Sequence, residues 1–245
     1  MGKIIAVVSG KGGTGKTSFT ANTGLALAAL GYHVLCMDCD FTLRNLDLAL
    51  GLTDAALMDF SDVLEGRCSL AEAVVPHQKY PRLELLSAPV LDAEPDYPPR
   101  LLGALFQLIR ENYDYCLVDA PAGLGVGFRL ATDHADSAVV VTTTDQTALR
   151  DAQRTVMELE RFPSGAVHLV VNRVQHRMLR ALHTTIDDAI DTAGLPLLGV
   201  IPEDRDLAYA LNRGLPLRDT NDYAARAYDN IAKRIAGRRV PLRKL

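Results

Sequence analysis

No apolar run in this 245-residue chain approaches the ~18–20 residues needed to span a bilayer, which argues against an integral helical membrane protein. The first apolar run, Ile4–Val8, is too short for a signal-peptide core, so the expected compartment is the cytosol. Cysteine is scarce as well. Four residues, Cys36, Cys39, Cys68 and Cys116, do not make a disulfide framework in a chain this long. Cys36 and Cys39 form a C-x-x-C that admits a metal or redox reading. Both lie in or just after an apolar strand, however, where odd spacing sends the side chains to opposite faces. With no second cysteine pair and only His33 close by, ordinary buried cysteine is the preferred reading.

Charge is unevenly spread, and net positive charge is lacking over most of the chain. The net charge is −4, but residues 233–245 carry six basic groups (Lys233, Arg234, Arg238, Arg239, Arg243, Lys244) and no acid, which leaves −10 on residues 1–232. An acidic body disfavours non-specific nucleic-acid binding, so no nucleic-acid partner is expected, while the basic tail could touch an anionic surface. Interdomain linkers and repeats are also lacking; Asp92–Arg100 is the most loop-like stretch and is too short to divide the chain.

What is present is a folded composition, 48% hydrophobic and 23% charged. Apolar runs of strand length (Lys3–Val8, His33–Asp38, Leu83–Ser87, Tyr115–Asp119, Ser137–Thr142, Val167–Val171, Leu197–Ile201) alternate with helical patterns at 16–30, 59–66, 99–111, 146–160, 178–193 and 222–236. Strands apolar throughout, separated by helices, predict a single α/β domain with a mostly parallel sheet covered by helices on both faces. The expected extent of that domain is residues 1–236, followed by a short basic tail at 237–245.

Three motifs carry chemistry. Gly10-Lys11-Gly12-Gly13-Thr14-Gly15-Lys16-Thr17 follows the first strand and opens the first helix, the context of a P-loop. Its backbone N–H groups can wrap a triphosphate and the helix dipole adds to the attraction. Lys16 would neutralise β/γ oxygens and Thr17 would offer a hydroxyl to Mg²⁺. Tyr115–Asp119 is an apolar strand ending in an acid, as a Walker B strand is, with Asp119 as a Mg²⁺ group and Gly123 placed to sense a γ-phosphate. Asp38 and Asp40 end the strand after the P-loop helix. Asp38 suits the Mg²⁺ side and Asp40 the attacking water, but either could instead be a turn residue, and spacing alone leaves both readings open.

The second lysine of the loop, Lys11, is the mark by which the chain resembles the deviant Walker A ATPases of the MinD/ParA family. The stretches Asp38–Leu48, Asp62–Cys68, Asp119–Gly123, Leu149–Ala152 and Gly199–Asp204 extend the likeness over nearly the whole chain, specifically toward the MinD branch. The resemblance implies a Mg-dependent ATPase, with ATP/ADP and Mg²⁺ as cofactors, that forms a homodimer in the ATP state. Lys11 would then reach the partner's phosphates, giving Lys11, Lys16 and Asp40 catalytic roles. Ser18 would join residues 10–17 at the nucleotide, Asn172 would read the adenine edge, and Pro202, Glu203 and Asp204 would pack on the base. The metal set would be Thr17, Asp38 and Asp119.

By the same resemblance the chain would govern septum placement with a MinC-like inhibitor and a MinE-like activator. It would be cytoplasmic, with a peripheral contact at the inner membrane. The competing readings are a flagellar-number regulator, a ParA-type DNA-partition ATPase, and a reductase bridging an iron–sulfur cluster; the acidic body and the cysteine positions argue against the last two. Phe41-Thr42 departs from the family's more usual aliphatic-Gly pair, and Thr144-Asp145 from Pro-Glu. Members typically continue into an amphipathic membrane helix, whereas this sequence stops at Leu245, so only a weak anionic membrane contact is expected.

Overall fold

The computed structural model describes residues 1–53, 55–90, 96–182, 185–204 and 222–242. Among these, eight strands form one sheet: β1 (Lys3–Val8), β2 (Val34–Asp38), β3 (Val75–Pro76), β4 (Leu83–Leu86), β5 (Tyr115–Asp119), β6 (Ser137–Thr142), β7 (Val167–Val174) and β8 (Leu197–Pro202). Their spatial order is β3-β4-β2-β5-β1-β6-β7-β8. Only the short β3–β4 pair is antiparallel.

Both faces of the sheet are buried, which is why its strands read as unbroken apolar runs. In β1 the residues alternate between two cores: Ile4, Ala6 and Val8 belong to one, Ile5 and Val7 to the other. The second core holds α1 (Lys16–Ala29), α2 (Leu46–Leu50) and α10 (Asp222–Ile235), with Phe19 of α1 meeting Tyr228 of α10 at 6.4 Å between ring centroids. The first is roofed by α3 (Phe60–Leu64), α4 (Leu70–Ala73), α5 (Pro99–Asn112), α6 (Val126–Asp133), α7 (Gln146–Met157) and α9 (Ile186–Ala193). Helix α8 (His176–Leu182) precedes α9. Fully burying one such aliphatic or aromatic side chain contributes about 1.5–3 kcal/mol, so the paired cores dominate stability.

α1 lies close over β2 because Gly24 faces the sheet; a Cβ there would sit 2.5 Å from Cys36 Sγ. Cys36 and Cys39 fall in different cores, so the predicted opposite facing is what the fold has.

The sequence pattern differs from the structure in a few places. The helix expected over 178–193 is two helices, because Thr185 and Asp188 form a capping box that starts α9 afresh: Thr185 N donates to Asp188 Oδ2 at 2.6 Å and Asp188 N to Thr185 Oγ1 at 3.2 Å. The helix at 146–160 ends at Met157, and β7 runs on to Val174. The short helices α2 and α4, and α6, were not anticipated; the first two have five and four residues, too few to show a period.

Central β1 is flanked by β5 and β6: the chain builds one half of the sheet through β2–β5, then crosses past β1 to build the other through β6–β8. Such a switch point opens a crevice beyond the strand C-termini. The loops after β1, β2 and β5 meet the end of β7 there.

Candidate functional site

The loop after β1 leads into α1 through Gly15, whose φ of 90° is left-handed. A Cβ at this position would lie 2.3 Å from Asn172 Nδ2, so both backbone and space demand glycine. No side chain caps α1, and its first turn holds no acid. By contrast Asp59 caps α3 and Asp145 caps α7. The first-turn N–H groups of α1 are thus left to a ligand, and their dipole favours an anion.

Lys16 begins α1 and is buried, with Nζ donating to Ser9 Oγ at 2.8 Å. The Ser9 hydroxyl in turn donates to Lys11 O at 2.7 Å, so Ser9 ties the ammonium to the loop backbone. Burial lowers the Lys16 pKa, and Asp119 and Asp40 oppose that shift. Thr17 Oγ1 donates to Asp119 Oδ2 at 2.6 Å and Thr20 Oγ1 to Asp119 Oδ1 at 3.1 Å.

Asp38 and Asp119 are register partners on β2 and β5, both buried. Burial, then the neighbouring Asp119, pushes Asp38 up to about 7. Burial pushes Asp119 up to about 6 against the pull of Thr17, Lys16 and Thr20. Two raised carboxylates side by side, one of them on the Thr17 hydroxyl, are a hard oxygen donor set that a cation would relieve of its mutual repulsion. Thr17, Asp38 and Asp119 therefore fit Mg²⁺.

Asp40 sits in the loop after β2, its N–H donating to Asp38 Oδ1 at 2.8 Å. Its own Oδ1 accepts from Thr42 N (3.0 Å), Thr42 Oγ1 (2.7 Å) and Leu43 N (3.0 Å). Gly123, after β5, has φ of 91°. Lys11 lies at the rim, not beside Lys16: its Nζ donates to Thr147 Oγ1 at 2.8 Å and stands 3.8 Å from Asp145 Oδ2.

On the far side of the loop, buried Asn172 donates from Nδ2 to Thr14 O at 2.8 Å, and its Oδ1 has no hydrogen-bond partner among the described residues. Pro202 ends β8, with Glu203 and Asp204 following. Glu203 is engaged by Arg173 through both carboxylate oxygens. Ser18, in the first turn of α1, gives its carbonyl to Asn22 Nδ2. Sequence reasoning did not single out Ser9, Thr20 or Arg173. Ser9 could have been flagged as the last residue before the loop; nothing local marks the other two.

This arrangement defines a P-loop nucleotide-binding protein of the paired-lysine kind. The ParA family, described as NUBPL iron-transfer P-loop NTPase, matches residues 1–236. The septum site-determining protein MinD of Synechocystis sp. is 38% identical over 244 residues, covering 98% of this chain and 92% of its own. That of Bacillus subtilis is 38% identical over 249 residues, covering 100% and 93%. The MinC:MinD cell division protein complex of Aquifex aeolicus superposes with a TM-score of 0.90 at 36% identity, over 99% of this chain and 98% of that one. MinD of Pyrococcus horikoshii, complexed with Mg-ADP, gives 0.82 at 32% identity, over 96% of each. The chain belongs to the MinD family of ParA-type P-loop NTPases.

Cys36, Cys39 and Cys116 are at most 1% exposed, and burial raises all three thiols.

Proposed function

We propose that this chain is an ATP-driven switch for division-site placement, monomeric with ADP and dimeric with ATP, that hydrolyses ATP to ADP and phosphate. The observation that carries the reading is the division between two lysines of one loop. Lys16 is buried against Ser9 and within the field of Asp119, while Lys11 stays at the rim, nearly half exposed, on Thr147 and Asp145. A cation on the phosphate loop but directed to its rim suits phosphates arriving from a second copy.

In this reading residues 10–18 bind the phosphates, and buried Lys16 offsets charge on the β/γ oxygens. Thr17, Asp38 and Asp119 hold Mg²⁺, which supplies charge neutralisation of the phosphates when bound. Asp40 orients the attacking water through Oδ2, since Oδ1 is already taken by three donors in its own loop. Gly123 N–H senses the γ-phosphate, and Lys11 crosses to the partner. Asn172 Oδ1, buried and without a partner among the described residues, accepts from the adenine amino group beside the Pro202–Asp204 turn. Catalysis here is positioning and charge stabilisation of phosphoryl transfer to water.

The placement role rests on relatives named septum site-determining proteins and on the MinC:MinD complex. The partners are then a MinC-like inhibitor and a MinE-like activator, met at the cytoplasmic face of the inner membrane. Size-exclusion chromatography of the wild type and of Lys11→Ala with ATP or ADP tests the switch. An ATP-dependent dimer lost in Lys11→Ala is expected; a wild type whose size ignores the nucleotide sinks the reading.

A further inference from the structure

A phosphate cradle turns its amide N–H groups inward, which leaves its carbonyl oxygens facing out and in need of donors. Two consecutive carbonyls of this loop are taken by two consecutive residues of β7. Asn172 Nδ2 donates to Thr14 O at 2.8 Å, and Arg173 NH1 donates to Gly13 O at 3.4 Å.

Neighbouring residues of a strand normally face opposite ways. Here both reach one loop, because the β7–β8 pairing shifts register between Val171 and Val174. Within that irregularity Arg173 has φ of 56°, a conformation that side chains other than Asn and Asp rarely adopt. Unfavourable backbone of this kind persists where the surroundings over-determine it. The surroundings here are Glu203: Arg173 Nε donates to Oε2 at 2.9 Å and NH2 to Oε1 at 3.2 Å. Glu203 is itself pinned to β7 by its N–H, which donates to Val174 O at 3.0 Å. With two nitrogens of the fork held, the third is aimed at the loop.

We propose that Arg173 is a positioning residue for phosphate binding: anchored on Glu203, it braces the outward Gly13 carbonyl so that the P-loop amides stay aimed at the nucleotide phosphates. This rests on the nucleotide-site reading above and assigns Glu203 to holding Arg173. The brace acts on the cradle, which every polyphosphate shares, and is blind to the base.

Displacement of a fluorescent ATP analogue from the full chain, by ATP and by inorganic triphosphate with Mg²⁺, tests it. Arg173→Met keeps the stem without the guanidinium, Arg173→Lys keeps the charge without the fork, and Glu203→Gln releases the anchor. Arg173→Met is expected to weaken ATP and triphosphate by the same factor, about 3–10-fold, as for loss of one net hydrogen bond. Glu203→Gln should move both in the same direction, and Arg173→Lys should recover only part. Should Arg173→Met fail to fold, Glu203→Gln decides. ATP affinities within twofold of wild type in both variants overturn the brace. A loss confined to ATP also overturns it, by assigning Arg173 to the base. A wild type that binds no ATP overturns the site reading, and the brace with it.

Discussion

The Thr17 hydroxyl donates to Asp119 Oδ2 at 2.6 Å although 102 residues separate the two in the chain. The contact joins the start of α1 to the end of β5 and holds Asp119 beside its register partner Asp38. Both acids are pushed upward, Asp119 to about 6 and Asp38 to about 7, chiefly by burial. An acid whose folded pKa lies above its unfolded value binds more protons folded than unfolded. Its contribution is therefore fully present below the unfolded value near 4 and is lost as pH rises through 6 to 7. Asp38→Asn should thus stabilise the nucleotide-free protein more at pH 8 than at pH 5, at ~1.4 kcal/mol per displaced unit. Urea melts at the two pH values measure it, and a difference that ignores pH would refute the buried-pair account.

Loss of Asp40 should slow chemistry and spare binding. Three donors from Thr42 and Leu43 fix Oδ1, so the loop orients the carboxylate without any help from the P-loop. Asp40→Ala is expected to bind ATP, accumulate as dimer and hydrolyse about 10²–10³-fold more slowly, the scale of one transition-state group. Lys16→Ala, which removes the buried ammonium, should bind nucleotide poorly instead. Single-turnover rates beside equilibrium binding separate the two. An Asp40→Ala chain that cannot bind ATP would make the residue structural.

Within the single chain Lys11 is already engaged. Thr147 and Asp145 occupy its ammonium, and the Asp145 carboxylate is set by accepting from Thr147 N at 2.7 Å and Oγ1 at 2.9 Å. Thr147→Val breaks the hydrogen bond and keeps the shape. It should release Lys11 and tighten the ATP dimer about 3–10-fold, one exposed hydrogen bond's worth. Analytical ultracentrifugation over a concentration series reads this; a dimer weakened by Thr147→Val would mean that Thr147 acts in the dimer instead.

The parts of this fold that were legible in the sequence are those whose cause is local. β1, the glycine loop and α1 are contiguous and announce one another, and β5 ends in its acid as an apolar strand should. Asp38 and Asp40 were legible as acids at a strand end, but their separate surroundings were not, because those come from β5 and from the Thr42 turn. Thr20 and Arg173 were missed for the same reason, whereas Ser9, with its partners Lys11 and Lys16 two and seven residues on, could have been read from its place before the loop. Arg173 matters through Gly13, 160 residues away, and through a backbone twist that no single-residue propensity announces. The break between α8 and α9 was hidden by a continuous helical period, although the Thr185-x-x-Asp188 box was there to be read.

Membrane contact by the described tail should be weak. Helix α10 ends in a turn and does not run on: Gly237 has φ of 76°, and Arg238 N donates to Lys233 O at 2.9 Å. Arg234 clasps the segment beyond that turn, donating to Val240 O at 3.0 Å, Pro241 O at 2.7 Å and, on β8, Leu198 O at 2.8 Å. That clasp removes one cation from any surface and holds residues 240–241 against the domain, with no apolar helix face to bury; Arg243–Leu245 lie outside the described residues. Each remaining basic group near an anionic surface is worth at most ~1 kcal/mol and fades within a Debye length of ~8 Å. Two tails acting together in an ATP dimer would multiply the effect. Co-sedimentation with phosphatidylglycerol vesicles should therefore show weak binding that salt abolishes and ATP strengthens. Tight, salt-resistant binding by the ADP-bound monomer would show that the tail leaves its clasp and inserts.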